Sequence, residues 1–246
     1  MSKEQFIAVD IWGDFAHFSH PSTVYSSITY PVPPKSAVIG FLGAVCGKTR
    51  KEYREWLGEF YYAVSILNPI RKIKLSFNGI PNILNMTYYK KGWMPSSKYK
   101  AKQFYRELIV QPKFRIFLKI ENQNVRNEAR DFLSSHKSCY TPYLGINSCI
   151  ADFNYLEIGK AELITDDFFN ANTMIEQKFY SDTTEIEEQR LASQIMPFDI
   201  APHERIFLDF KETLVELKGN PLRTKNNQNS WAIKIKNEKI SNIFLC

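Results

Sequence analysis

The sequence lacks several features that would assign it to a common class. Its four cysteines form no Cys-x-x-Cys pair, so we expect reduced thiols rather than a zinc site or a disulfide framework. No apolar run approaches the ~18–20 residues that cross a bilayer, and residues 1–6 lack the apolar core of a secretion signal. The phosphate-cradling loop, the dinucleotide-binding glycine pattern and the Gly-x-Ser-x-Gly elbow are also missing. We therefore expect a cytoplasmic protein with no metal, no cofactor and no membrane contact.

The composition is that of an ordinary globular protein, but the charge is distributed unevenly. The chain has 246 residues, of which 44% are hydrophobic and 14% aromatic, enough for one large domain or for a domain with a smaller partner. Its formal net charge is +6. Residues 69–115 hold eight lysines, three arginines and a single acid, Glu107, whereas the rest of the chain is net negative. This segment therefore predicts a local binding surface for a polyanion.

The spacing of apolar residues predicts the order of strands and helices. In the first part of the chain we expect strands at 4–12, 61–67, 114–120 and 149–158, a buried helix at 37–46 capped by Ser36, a short helix from the capping box at 49–52 to Gly58, and an amphipathic helix at 125–133. In that last helix we expect Arg126, Glu128, Arg130 and Asp131 to lie largely outside the apolar face. In the second part we expect a helix at 185–195 and strand-like runs at 206–210, 213–217 and 231–245.

This order predicts the α+β class. Two helices backing a four-stranded antiparallel sheet is the ferredoxin-like arrangement, which RNA-recognition domains also use. We expect this domain to span residues 1–158, with a projecting hairpin at about 78–112, and a β-rich C-terminal extension to span residues 159–246.

The expected hairpin is rich in both cations and aromatic side chains. Cations neutralise phosphates and aromatic faces stack on unpaired bases, so the segment predicts binding to a single-stranded nucleic acid. The alternative is a solvated hairpin whose aromatic residues pack on the body. The candidate RNA-binding residues of the hairpin are Lys90, Lys91, Trp93, Lys98, Lys100, Lys102 and Arg106.

A second candidate is the long loop at 13–35, because long loops inside compact domains are usually functional. Its small hydroxyl groups can bond phosphates and 2′-hydroxyls, although an ordinary structural loop has a similar composition. The two histidines have no cysteine or carboxylate partner at ligand spacing, so we expect no metal there. The candidate RNA-binding residues of the loop are His17, His20, Ser22, Thr23, Tyr25, Ser26 and Ser27.

Three stretches near the N-terminus resemble the signature of a CRISPR-associated family, the fifth Cas family. They are residues 10–18 (DIWGDFAHF), 29–37 (TYPVPPKSA) and 40–44 (GFLGA), in matching order and spacing over about 5–47. Residues 142–145 (PYLG) are similar to a family motif ahead of the last strand of the domain. Residues 241–245 (SNIFL) are similar to the C-terminal end of members from type I-B systems.

The resemblance implies a RAMP-type subunit of Cascade, the type I interference complex. It implies a thumb between the second and third strands, where the basic hairpin falls. It also implies that the chain caps the 5′ handle of the CRISPR RNA and docks the large and backbone subunits, with target DNA as an indirect partner. The matching motifs add Lys35, Ser36, Tyr143 and Gly145 to the candidate RNA-binding residues.

One branch of the family, from type I-C systems, also cuts precursor CRISPR RNA with a tyrosine, a lysine and a histidine. That tyrosine corresponds to Cys46 here, and the adjacent Lys-His pair is replaced at best by His136-Lys137 in reverse order. We therefore expect a non-catalytic RNA-binding subunit. Two alternatives stay open: a metal-independent endoribonuclease on the same fold, and a ribonucleoprotein scaffold whose hairpin mainly grips protein.

Overall fold

The computed structural model describes residues 3–21, 23, 26–79, 102–181, 189–200 and 207–246. The α-helices in these ranges are α1 (Lys35–Val45), α2 (Tyr53–Leu57) and α3 (Gln123–Ser134). The first strands are β1 (Phe6–Trp12), β2 (Phe15–Ala16), β3 (Ser26–Ser27), β4 (Phe60–Ile66), β5 (Lys72–Gly79), β6 (Lys102–Val110), β7 (Lys113–Ile120) and β8 (Asp152–Leu156). The later strands are β9 (Ile158–Leu163), β10 (Phe168–Ala171), β11 (Ile175–Glu176), β12 (Leu191–Ile200), β13 (Phe207–Glu216), β14 (Leu222–Lys225), β15 (Ser230–Ile235) and β16 (Ile240–Phe244).

The central sheet has four strands in the order β4, β7, β1, β8, and every neighbouring pair is antiparallel. In β7 the side chains of Phe114, Ile116 and Leu118 alternate with Arg115 and Phe117, as the period-two pattern predicts. Because Phe117 is as fully buried as Ile116, the sheet is covered on both faces.

One face of this sheet packs against α1 and α3. The amphipathic pattern of α3 is confirmed, since Val125, Ala129 and Leu133 are buried in the same cluster as the inward side chains of β1 and β7. The side chain of Asn122 caps this helix by accepting a hydrogen bond from the backbone N–H of Asn124 at 3.0 Å. The expectation for Arg126 is wrong: it is buried, because its guanidinium donates to the carbonyl of Ile120.

The start of α1 also differs from the prediction. Pro34, not Ser36, occupies the N-cap position, and the helix begins at Lys35. Pro34 has no side-chain acceptor to cap the helix. Its backbone carbonyl accepts the first intrahelical hydrogen bonds, from the N–H groups of Ala37 at 2.9 Å and Val38 at 3.2 Å. The capping pair at 49–52 is confirmed only in part: the Thr49 N–H donates to the Glu52 carboxylate at 3.0 Å, but α2 begins at Tyr53 and its N-cap position is Glu52.

The opposite face of the central sheet is covered by a second sheet with the order β16, β15, β9. Trp231 of β15 packs edge-on against Phe6 of β1, with 5.0 Å between the ring centroids. Phe117, Ile233 and Ile243 complete this second cluster of buried side chains. Beside it, Arg115 forms ion pairs with Asp10 and Glu238 and so links β1 to the turn between β15 and β16.

The predictions for the chain after residue 148 need four corrections. Residues 191–195 lie in β12 rather than in a helix, because β12 pairs with β13 from Leu191↔Glu216 to Ile200↔Phe207. Residues 185–188 of that expected helix lie outside the described residues. The two runs expected at 206–210 and 213–217 form the single strand β13, and the run expected at 231–245 is divided into β15 and β16. Likewise, the strand expected at 149–158 covers only Asp152–Leu156.

The residues before and after position 158 share one core. A single cluster of buried side chains includes Val64 and Ile116 together with Met174 and Leu214. In addition, Cys246 and Tyr62 exchange two backbone hydrogen bonds, of 3.0 and 3.2 Å, along the edge of β4. The division into residues 1–158 and 159–246 stays a prediction.

Candidate functional site

The basic segment forms an antiparallel hairpin in which β5 pairs with β6, from Lys72↔Ile109 to Gly79↔Lys102. The hairpin therefore begins before the residue 78 that the sequence indicated. Residues 80–101 lie outside the described residues, and so do five candidates, Lys90, Lys91, Trp93, Lys98 and Lys100. For Lys102 the description covers the backbone, which pairs with Gly79.

The two faces of the hairpin differ in chemistry. The period of two places Lys72, Lys74 and Tyr105 on one face, and Tyr105 is 48% exposed. The other face presents Ile73, Leu75 and Phe77, all exposed, with Leu75 at 50%. On this apolar face the ring of Phe77 stacks on that of Phe104, and the guanidinium of Arg106 lies 5.0 Å from the Phe77 centroid. The candidate residue Arg106 is therefore held against an aromatic ring of the hairpin itself.

The loop after β1 is bound to the base of this hairpin. Strand β2 pairs antiparallel with β6 at Phe15↔Val110, and β3 pairs parallel with β6 at Ser27↔Arg106. The long loop and the basic hairpin, which the sequence presented as two separate candidates, therefore form one surface. Ser22 and Tyr25 lie outside the described residues, and for Ser26 the description covers the backbone.

His17 lies inside this junction and is only 1% exposed. Its Nδ1 is 2.7 Å from the backbone carbonyl of Glu107, which can only accept, so Nδ1 carries the proton. In the neutral ring Nε2 then accepts from the hydroxyl of Ser27 at 2.9 Å. Burial lowers the pKa of His17 below its ordinary value of 6.5, and the hydrogen bond to the Glu107 carbonyl opposes this effect. The imidazole thus connects the loop to the hairpin, and its ring is not on the surface.

Glu107 and Lys72 make a second connection between the loop and the hairpin. One carboxylate oxygen of Glu107 accepts from the backbone N–H of Thr29 at 3.0 Å and from Nζ of Lys72 at 3.0 Å. The same ammonium donates to the carbonyl of Thr29 at 2.8 Å. Our sequence analysis did not select Lys72 or Thr29, although the single acid in a basic segment was a signal that pointed to Glu107.

The turn at Tyr143–Gly145 supports the loop from the other side. The backbone N–H of His17 donates to the carbonyl of Leu144 at 3.1 Å. Gly145 has a φ of +89°, and a Cβ there would lie 2.0 Å from the His17 carbonyl oxygen. The candidate Gly145 therefore has a steric role beneath the loop, whereas Tyr143 is 43% exposed and accessible to a ligand.

The remaining candidates lie around this junction or outside it. The ring of His20 packs on Tyr30 with 4.6 Å between centroids, and burial lowers its pKa. The hydroxyl of Thr23 donates to the His20 carbonyl at 3.1 Å. Lys35 and Ser36 line a separate cleft of about 470 Å³ together with Phe60 and Lys211, so the structure does not place them in the junction.

RNA-recognition domains stack bases on aromatic side chains of an exposed sheet face. The central sheet of this protein offers no such face. Phe6 and Phe117, on the face opposite the helices, are 1% and 0% exposed because β15 and β16 cover them. These two rings are therefore not accessible to bases.

The position that corresponds to the tyrosine of the cleaving branch is also buried. Cys46 is 5% exposed, and burial raises the pKa of its thiol to about 12. His136 is on the surface, where its Nε2 lies 3.2 Å from Asp152 and its ring stacks on Phe153. The Cys46 thiol is therefore held in the interior, whereas His136 is accessible at the surface beside a carboxylate.

Within the described residues, no group of three or more histidine, cysteine or acidic side chains is placed to hold a metal ion. No helix in those ranges is long and apolar enough to cross a membrane.

The family model described as CRISPR-associated protein (Cas_Cas5) matches residues 6–204, which is most of the chain. The chain therefore belongs to the Cas5 family of CRISPR-associated proteins. None of the curated protein sequences matches it.

Solved structures with a similar fold come from CRISPR systems. One is a chain of a CRISPR RNA-guided surveillance complex, with a TM-score of 0.51 and 13% identity over 91% of this chain and 92% of that one. Another is a CRISPR protein from Archaeoglobus fulgidus, with a TM-score of 0.52 and 14% identity over 96% of this chain and 97% of that one. At these identities the likeness shows that the strand-rich α/β fold is shared.

Proposed function

We propose that this protein is a non-catalytic RNA-binding subunit of a type I CRISPR interference complex of the I-B kind. In this role it caps the 5′ handle of the CRISPR RNA and docks the large and backbone subunits. The observation that carries the proposal is the junction of the loop at 13–30 with the basic hairpin, because it combines hydroxyls, cations and aromatic rings on one surface. The family and the similar chain in an RNA-guided surveillance complex support the same role.

The proposal includes the fold. The sheet order β4, β7, β1, β8 with helices α1 and α3 on one face is the order of a ferredoxin-like domain. In this interpretation β5 and β6 are the thumb, inserted between the second and third strands of the domain. Since the sheet face is covered, the thumb and the loop supply the RNA-binding surface.

The absence of catalysis is part of the proposal and has a direct test. The buried Cys46 thiol, with its pKa raised to about 12, is a poor proton donor or acceptor near neutral pH. We expect purified protein, incubated with the CRISPR repeat RNA in EDTA, to bind the RNA without cutting it. Discrete cleavage that is abolished by His20→Ala or His136→Ala would establish the endoribonuclease alternative instead.

A second test concerns the electrostatic grip of the hairpin. If three or four of its cations meet phosphates, affinity for the single-stranded 5′ handle should fall with salt at a log–log slope of roughly −2 to −3, at ~0.7 per phosphate. Changing Lys98, Lys100 and Lys102 together to Glu should flatten this slope. The matched control reverses three exposed lysines of the C-terminal sheet, Lys160, Lys236 and Lys239, and changes the net charge equally. Equal losses in both variants would contradict a local grip.

The scaffold alternative is favoured by one observation, the exposed apolar face formed by Ile73, Leu75 and Phe77. Hairpin variants that keep their RNA affinity but no longer co-purify with the other subunits would support this alternative.

A further inference from the structure

Glu107 is the only acid between residues 69 and 115, where eleven cations lie. A carboxylate in such a segment repels a polyanion, so by charge alone it weakens RNA binding. The carboxylate is also largely withdrawn from solvent, with its side chain 18% exposed. A physical role for Glu107 must therefore come from its contacts within the protein.

Those contacts join the loop to the hairpin, either directly or through Lys72 of the hairpin. The carboxylate accepts from the backbone N–H of Thr29 and from Lys72, which in turn donates to the carbonyl of Thr29. The backbone carbonyl of Glu107 accepts from His17, whose other ring nitrogen binds Ser27. A single residue of β6 thus connects to the loop at both ends of the short segment 27–29, and Lys72 of β5 reinforces one of these ends.

We propose that Glu107 is a positioning residue that fixes the loop segment 26–30 on the base of the hairpin and thereby sets the geometry of the RNA-binding surface. The second part of this statement rests on the proposed function. Without the carboxylate, the Thr29 N–H loses its acceptor and Lys72 loses its counter-ion, so β3 loses part of the anchorage that aligns Ser27 with Arg106.

The two possible roles of Glu107 predict opposite changes in RNA affinity for Glu107→Ala. If it acts only as a charge, both Glu107→Ala and Glu107→Gln raise the affinity for RNA, because each removes one negative charge. If it positions the loop, Glu107→Ala weakens binding by about tenfold, the scale of a lost charge-assisted hydrogen bond of ~1.4 kcal/mol. Glu107→Gln then retains most of the affinity, because its amide oxygen still accepts from Thr29.

The experiment measures binding of the labelled single-stranded 5′ handle, taken from the repeat of the host's own CRISPR array, to the full chain. Two further variants serve as a matched pair: Lys72→Met and Lys74→Met each remove one cation from β5, but Lys74 makes none of the contacts described above. The positioning role predicts a larger loss for Lys72→Met. Equal losses for the pair, or tighter binding by Glu107→Ala, overturn the proposal.

Hydrogen exchange separates a failure of this proposal from a failure of the proposed function. In Glu107→Ala we expect faster exchange of the Thr29 amide, while amides of the β1–β7 pair keep their protection and show that the fold persists. Unchanged Thr29 exchange overturns the positioning role whatever the RNA result. If wild-type protein does not bind the handle but Thr29 exchange accelerates, the positioning of the loop is supported and the RNA-binding function is rejected.

Discussion

At the scale of single residues, His17 shows how a side chain selected for its chemistry can be used for structure. Histidine in a hydroxyl-rich loop suggested contact with RNA, yet both ring nitrogens are hydrogen-bonded within the protein and the ring is buried. In the proposed RNA-binding role, His17 would act only through Ser27 and the loop segment to which it is hydrogen-bonded.

The lowered pKa of His17 has a consequence for stability. Burial disfavours the protonated ring in the folded state, whereas the unfolded chain protonates near the ordinary value of 6.5. The neutral, buried ring therefore stabilises the fold above pH 6.5. As the pH falls below 6.5, the unfolded state binds a proton more readily than the folded state, and this stabilisation is lost.

We therefore predict that the free energy of unfolding of wild type, relative to His17→Asn, decreases as the pH is lowered from about 7 to 5. Asparagine keeps a donor close to the position of Nδ1 but does not titrate. Urea unfolding at each pH measures the difference, and the value near pH 8 gives the cost of the lost ring contacts. A difference that is independent of pH would contradict the prediction.

At the scale of elements, the turn after α3 and the loop after β1 depend on each other. Gly145 has to be glycine on two counts: its φ is +89°, and the His17 carbonyl occupies the place of a Cβ. Gly58, which ends α2 with a φ of +63°, has the first constraint alone, since no atom lies within 4 Å of a Cβ there.

Gly58 and Gly145 provide a matched comparison of these two constraints. We predict that Gly58→Ala costs about 1–3 kcal/mol of unfolding free energy, because its φ of +63° with a ψ of −146° is a backbone conformation that essentially only glycine adopts. Gly145→Ala should cost at least about twice as much, because the His17 carbonyl is fixed by its neighbours and cannot move aside. Denaturant unfolding of both variants tests this prediction. Equal losses of unfolding free energy would show that the His17 carbonyl can move away from a Cβ at position 145.

At the scale of the whole molecule, the C-terminal strands complete the core of the N-terminal sheet. Trp231 and its neighbours cover Phe6 and Phe117, which would otherwise expose a large apolar face. The same covering closes that face of the central sheet to any ligand.

We predict that Trp231→Ala destabilises the protein by about 3–5 kcal/mol, the usual cost of removing a large buried aromatic side chain. Ile240→Ala, on the neighbouring strand at 59% exposure, should change the stability by less than ~0.5 kcal/mol. Thermal unfolding measures both. A small effect of Trp231→Ala would mean that the second sheet packs on the first without depending on this contact.

The sequence by itself determined the elements whose signals are local. The alternation in β7 and the 3.6-residue spacing in α3 depend on neighbouring residues, and so does the capping pair of Thr49 and Glu52, and all three are present. The concentration of cations at 69–115 is likewise readable without coordinates. The motifs at 10–44 are too, and they were sufficient to indicate the family.

Only the tertiary structure decided which distant residues meet. Strand β12 forms at a place where local signals favoured a helix, because pairing with β13 supplies hydrogen bonds that no local window contains. The contact of Glu107 with Thr29 joins residues 78 positions apart, and that of His17 with Glu107 joins residues 90 positions apart. Such pairings are set by sheet register and by the burial of polar groups, which appear only when the chain is folded.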